Sequence, residues 1–258
     1  MWDAMYDGPI DSFEKFIFRE RRDFAVRAIK ENVGSEGMIL DLGCGAGPFT
    51  SEVLKYKSNV IAADYSADIL EKARARIQSV NDREAALSQC NSEKLPFKSG
   101  SFAAVVCLGV ISYVPNRFAA VEEMYRVLKE DGLLILTFRN FYNAIAYDPI
   151  NLIQFAVGRI PNNIHCERNG EFVAGAFLKP GDIQILLERV GFDVESCLGI
   201  GRGPFKVKQK QVFSLKISLW LDSTLKRILS MLGFRRSLHG ADVAIFVCRK
   251  KASSSKPK

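Results

Sequence analysis

Apolar and polar positions along this chain follow two alternating periods. Short segments rich in apolar residues occur at 38–42, 59–64, 84–90, 102–108, 133–138, 193–200 and 241–248. Each has the length of a strand. Between them lie stretches with apolar residues at helical spacing: 10–33, 49–57, 66–80, 116–129 and 180–190. A further one covers 212–236, with Phe213, Ile217, Trp220, Leu221, Leu225, Ile228, Met231 and Leu232 on one projected face and Lys216, Asp222, Lys226, Arg227 and Ser230 on the other. Strands alternating with helices predict an α/β fold on a mostly parallel sheet with helices on both faces. Residues 139–179, carrying Pro149, Pro161 and a polar stretch at 162–170, break the alternation. They read as an insertion of one short helix and a loop, placed to cover a substrate pocket. Asp131-Gly132 is expected to end the 116–129 helix, and Gly191 the one before it.

The first strand runs directly into D-L-G-C-G-A-G-P, residues 41–48. Gly43, Gly45 and Gly47 permit a sharp turn and close approach of a ligand. Pro48 suits a first helical turn, where its missing N–H has no partner. Such a loop at the carboxyl end of a parallel strand is a nucleotide-type site in doubly wound folds. A dinucleotide fingerprint would need a glycine where Pro48 stands, and a P-loop would need Gly-Lys-Ser/Thr. Asp64, about twenty residues on at the end of the second strand, is placed to accept hydrogen bonds from a ribose diol.

The loop resembles motif I of the class I S-adenosylmethionine-dependent methyltransferases. Three more segments match the type 11 branch of that family in order. C-N-S-E-K-L-P-F (90–97) resembles its acid-Ala-Glu-x-Leu-Pro-Phe signature, with Asn91 where the acid stands. L-G-V-I-S-Y-V-P (108–115) resembles the segment lying against the cofactor. R-V-L-K-E-D-G-L-L (126–134) resembles R-V-L-K-P-G-G. The resemblance covers residues 38–138. It implies a Rossmann-like sheet of order 3-2-1-4-5-7-6 with the last strand antiparallel, and S-adenosylmethionine as cofactor. It assigns Asp41, Gly43, Cys44, Gly45 and Gly47 to the methionine end, Asp64 to the ribose, Tyr65 to the adenine face and Asn91 and Ser92 to the adenine edge. Leu108 and Gly109 form the wall near the sulfonium. Because the sulfonium already carries a good leaving group, the family needs no shared catalytic residue. If the acceptor must lose a proton, Tyr113 after the fourth strand and His165 in the insertion are the candidate bases. No cluster of acids and histidines has metal-ligand spacing. The expected organisation is a helical cap over 1–36, the methyltransferase domain over 37–250 with insertions near 139–179 and 201–240, and a disordered tail, 251–258.

With 258 residues, 48% of them hydrophobic, the chain can bury one large core. Its net charge of +7 is unevenly placed. Residues 201–236 hold nine Lys/Arg and one acid, Asp222, whereas residues 1–200 carry more acids than bases. The basic fifth suggests an anionic partner surface. The amphipathic 212–236 segment and the apolar insertion point to peripheral contact with an anionic membrane through 202–236, and to a small acceptor that is apolar or lipid-linked. The alternatives are an RNA methyltransferase using the basic region and a non-catalytic scaffold that binds the cofactor. The lack of an Asn-Pro-Pro-Tyr type motif after the fourth strand argues against nucleic acid. Six scattered cysteines without C-x-x-C spacing and an acidic amino-terminal stretch fit a reducing, cytoplasmic setting.

Overall fold

A computed structural model describes residues 5–57, 59–80, 85–146, 149–157, 175–202, 206–207, 210–211, 213–231 and 241–251. Seven strands form the central sheet: β1 Ile39–Leu42, β2 Val60–Asp64, β3 Ala86–Gln89, β4 Phe102–Leu108, β5 Leu128–Arg139, β6 Phe192–Arg202 and, after a short hairpin of β7 Lys206–Val207 and β8 Lys210–Gln211, β9 Ala241–Lys250. Their spatial order is β3-β2-β1-β4-β5-β9-β6. Counting only these seven strands, the order is the expected 3-2-1-4-5-7-6. β1 to β5 pair parallel to their neighbours, and β9 runs antiparallel between β5 and β6.

Strand periodicity sorts the core into two layers. Leu40, Leu42, Val105 and Cys107 face one apolar cluster; Ile39, Ala104 and Val106 face the other. The first layer is closed by α4 Arg117–Val127 and α7 Pro180–Val190, through Val121, Met124, Ile183 and Leu187. α7 starts on Pro180 and stops at Gly191, whose φ of 115° lets its N–H reach Leu187 O and Glu188 O. The second layer is closed by α1 Phe13–Asn32 and α2 Pro48–Leu54. α3 Ala67–Val80 turns Leu70, Ala73 and Ile77 inward. Ser12 caps α1 by accepting from Lys15 N. Phe13, Ile17, Ala25 and Ile29 lie on its buried stripe.

Two expectations change. The helix expected to reach residue 129 ends at Val127, because Leu128 already pairs with Phe102 in the sheet. The chain then leaves the ladder through Asp131, at φ 58°, and Gly132, and re-enters at Leu133 opposite Ala104. Asp131-Gly132 therefore makes a bulge inside β5. The insertion after β5 contains two short helices, α5 Phe141–Ala146 and α6 Pro149–Ala156; residues 158–174, with His165, lie outside the described residues. The amphipathic 212–236 stretch forms α8 Leu215–Met231. Its inward side carries Ser218 and Asp222, 1% and 2% exposed, with Leu215 and Leu219 packed on the second apolar cluster. Phe213, Ile217, Trp220, Ile228 and Met231, which share one projected face, are exposed. The Lys226, Ser230 and Leu232 side chains lie outside the described residues.

Candidate cofactor and acceptor site

The loop after β1 reverses on three left-handed glycines, Gly43 (φ 72°), Gly45 (φ 55°) and Gly47 (φ 73°). A side chain at Gly43 would collide with Val110 Cγ2, so the loop lies directly on the segment after β4. A Cβ at Gly47 would sit 3.3 Å from Ala73 of α3. Above Gly45 there is open space. The glycines thus press the loop against α3 and the post-β4 segment and leave its outer side bare.

The loop's N–H groups are largely spent on the protein. Gly43 and Cys44 donate to Ala63 O at 2.8 and 3.0 Å, Gly47 to Cys44 O at 3.0 Å, and Gly45 to Asp64 Oδ2 at 3.1 Å. A phosphate cradle directs such donors at its ligand. This loop offers close approach instead, which suits a ligand without phosphates. Asp64 Oδ1 accepts from Ser66 N at 3.1 Å. Each Asp64 oxygen keeps a lone pair for a diol.

Asp41 lies beneath the loop, 2% exposed, and accepts from Thr50 Oγ1 at 2.6 Å. Burial, helped by the Asp64 charge, pushes its pKa up to about 7, against the opposing Thr50 hydrogen bond. Its carboxyl group is thus buried under the loop and not on the open surface. Burial also pushes the Cys44 thiol far above its ordinary range, so Cys44 is an apolar filler without thiolate chemistry.

Tyr65 stands at the end of β2 with its side chain 76% exposed, beside the loop. Cys90 N donates to Asp64 O at 3.0 Å, which brings the next segment alongside. There Asn91 Oδ1 already accepts from Glu93 N at 2.9 Å, leaving one lone pair for a further donor. Ser92 is partly exposed. Leu108 and Gly109 end β4, with Gly109 at φ 82° and its N–H on Thr137 O at 3.0 Å. Tyr113 closes a 3-10 turn over Ile111–Tyr113 and is 48% exposed. A Cβ at Gly175 would lie 3.1 Å from its ring. The structure therefore gathers the expected residues of motif I, Asp64, Tyr65, Asn91, Ser92, Leu108, Gly109 and Tyr113 along one carboxyl edge of the sheet.

Arg21 was not anticipated. It occupies a core position of the α1 stripe, four residues from Ile17 and from Ala25, and is 8% exposed. Its guanidinium lies 4.4 Å over the Phe18 ring and donates to Tyr6 Oη at 2.8 Å. A Cβ at Gly109 would be 2.6 Å from Arg21 Nη1, so Gly109 makes room for the cation. Arg21 Nε is buried without a hydrogen-bond partner. A buried, under-satisfied guanidinium at the site edge calls for an anion. The available signal was a cation interrupting an apolar helical stripe. The segment before α1 crosses the same edge: Asp7 forms a bidentate pair with Arg76 of α3 at 2.8 and 2.7 Å, and Arg19 holds Tyr6 O and Gly8 O.

A family model described as a methyltransferase domain matches residues 40–136. The demethylmenaquinone methyltransferase of Lactococcus lactis is 34% identical over 100 residues, 38% of this chain and 40% of that one. The ubiquinone biosynthesis O-methyltransferase of Xanthomonas axonopodis is 24% identical over 179 residues, 65% of this chain and 67% of that one. The chain spans about half the length of the first curated relatives it matches. Among solved structures, magnesium protoporphyrin IX methyltransferase from Synechocystis with bound S-adenosylhomocysteine superposes with a TM-score of 0.63 at 15% identity, covering 97% of this chain and 92% of that one.

Proposed function

We propose that this protein, whose residues 40–136 match a methyltransferase-domain family model, is a class I S-adenosylmethionine-dependent methyltransferase that transfers a methyl group to a small, apolar or lipid-linked acceptor. The observation that carries the reading is the composition of the carboxyl edge: a glycine loop whose donors are turned inward, a diol acceptor and an under-satisfied guanidinium. These residues fit the cofactor. Asp64 would take the ribose hydroxyls, Tyr65 the adenine face, and Asn91 with Ser92 the adenine edge. Arg21 would pair with the carboxylate of the methionine end, with Asp41, Gly43, Cys44, Gly45 and Gly47 shaping the loop beside it. Leu108 and Gly109 would flank the reacting end.

When bound, the cofactor supplies a methyl group on a sulfonium for in-line displacement. The protein's part is to hold the acceptor in line and keep water out. Tyr113, half exposed beside Gly175, is the described group best placed to take a proton from an acceptor hydroxyl. His165 remains the second candidate base.

An apolar acceptor is supported by exposed Tyr113, Tyr142 and Ile153 on the post-β4 turn and the insertion. It is supported also by the quinone names of two relatives. Peripheral contact with an anionic membrane through 202–236 belongs to the same reading, as does a cytoplasmic setting. No helix among the described residues is long and apolar enough to cross a membrane.

Calorimetric titration of S-adenosylmethionine, S-adenosylhomocysteine and NAD into wild type and Asp64→Asn tests the proposal. Micromolar binding of the first two, weakened at least about tenfold in the variant by loss of a charged acceptor, supports it. Preference for NAD would overturn it. Methyl transfer to hydroquinones and catechols, assayed with a radiolabelled methyl group, then tests the acceptor class.

A further inference from the structure

α8 turns Ser218 and Asp222 inward and leaves several large apolar side chains outward, so the surface it presents is unusual for a helix of a folded domain. Ser218 and Asp222 are buried, and Leu215 and Leu219 anchor the helix on the second apolar layer. α8 touches β6 and α1. A Cβ at Gly201, at the carboxyl end of β6, would meet Ile17 and Phe13 of α1. This is the edge that carries the glycine loop. Outward stand Trp220, 63% exposed, and Met231, 85% exposed, with Ile217 and Ile228 beside them. Lys216 and Arg227 are exposed too. Lys216, Trp220, Arg227 and Met231 follow each other at intervals of four, seven and four residues, which places them in one row along the helix.

The position of Asp222 settles the sign of this face. It is the one acid in residues 201–236, against nine Lys/Arg, and it is turned into the protein. The outward face therefore mixes apolar side chains with cations and shows no acid among the described residues. α6, with Ile153 and Val157 each 66% exposed, contacts β7, the strand whose hairpin leads into α8. Apolar exposure thus continues from the insertion towards this helix.

We propose that the outer face of α8 is a docking surface for an anionic lipid bilayer. Trp220, Met231, Ile217 and Ile228 enter the headgroup–acyl boundary, and Lys216 and Arg227 meet the lipid charges. Tryptophan favours that boundary, where its ring is apolar and its N–H stays wet. The cations add long-range attraction within a Debye length. Charge complementarity selects this occupant: a protein partner at such a face would need an acidic groove, and a second copy would bring like charge against like. The inference deepens the lipid-linked acceptor reading, because α8 packs on β6 and on α1, the helix that carries Arg21. The docking itself stands independently of methyl transfer.

The test is flotation of the full chain with phosphatidylcholine vesicles, with and without phosphatidylglycerol, at low and physiological salt. The wild type is compared with Trp220→Ser/Met231→Ser and with Lys216→Glu/Arg227→Glu. Expected are binding to the anionic vesicles alone, a blue shift of Trp220 emission referenced to the Trp220→Ser variant, and at least about a tenfold loss of partitioning in either variant. S-adenosylhomocysteine affinity should be unchanged in both, which shows that they fold. Equal binding to neutral vesicles, or variants that float like wild type, would overturn the proposal. So would conversion of a dimer to a monomer by Trp220→Ser/Met231→Ser with vesicle binding intact. If vesicles bind and S-adenosylhomocysteine does not, the docking stands and the methyltransferase reading falls.

Discussion

Arg21, buried against Gly109 with Nε lacking a partner, and Asp41, buried under the glycine loop with a raised pKa, each predict a distinct ligand response. Replacing Arg21 by Gln removes a charged hydrogen-bonding group, worth about 1.5–3 kcal/mol when its partner is ionised. S-adenosylhomocysteine should then bind about ten- to a hundredfold more weakly. Methylthioadenosine, which lacks the amino-acid carboxylate, should bind both forms alike; equal losses for the two ligands would show that Arg21 only shapes the site. For Asp41 the folded-state pKa is raised, so the neutral acid favours folding. Its contribution is complete below the ordinary carboxylate pKa, near 4, and is lost as pH rises through about 7. A cationic ligand beside the loop pulls that pKa back down. Calorimetry at pH 6.5 in buffers of different ionisation enthalpy should detect proton release on S-adenosylmethionine binding, and Asp41→Asn should abolish it. A buffer-independent enthalpy in the wild type would exclude the coupling.

At the scale of elements, the crossing of Asp7 to Arg76 joins the segment before α1 to α3 over the loop. The Asp7 side chain is 55% exposed, so the pair contributes little to global stability, typically under about 1 kcal/mol. Its consequence is kinetic. Asp7→Ala should leave the denaturation midpoint nearly unchanged while speeding release of S-adenosylhomocysteine in stopped-flow displacement; an unaltered off-rate would reduce the pair to surface decoration. Elements with local signals were legible in the sequence: β1 and its loop through the alternate glycines, α7 through Pro180 and Gly191, β9 through its apolar run. What failed was not periodicity but context. The period of 212–236 told which residues share a side, but not that Leu215 and Leu219, among the described residues, would pack on the second apolar layer. The Asp131-Gly132 signal was real too. It marks a turn, and only pairing of Leu128 with Phe102 decides that the turn interrupts a strand instead of ending a helix. Arg21 escaped because a lone cation on an apolar stripe carries no motif.

For the whole molecule, β9 is the keystone of the sheet, flanked by β5 and β6 along most of its length. It ties distant parts of the chain. Asn140 Nδ2 donates to Ala241 O across 101 residues, and Lys250 Nζ to Leu128 O across 122. A chain ending at residue 236 would expose the edge of β5, whose Leu134, Leu136 and Phe138 belong to the first layer. Such a truncation should be recovered mainly as aggregate in a sedimentation assay, whereas removing residues 252–258 should cost no solubility. A soluble, S-adenosylhomocysteine-binding product from the shorter chain would show that the cofactor half folds alone. The same strand sets a schedule for biosynthesis. The glycine loop, Asp64 and the segment after β4 are all made by residue 139, but the edge of β5 waits for a strand roughly a hundred residues later. At about 5–20 residues per second of translation, that is on the order of 5–20 seconds of open β-edge on every nascent chain. This is the interval in which a chaperone that masks strand edges would matter most to the yield of this protein.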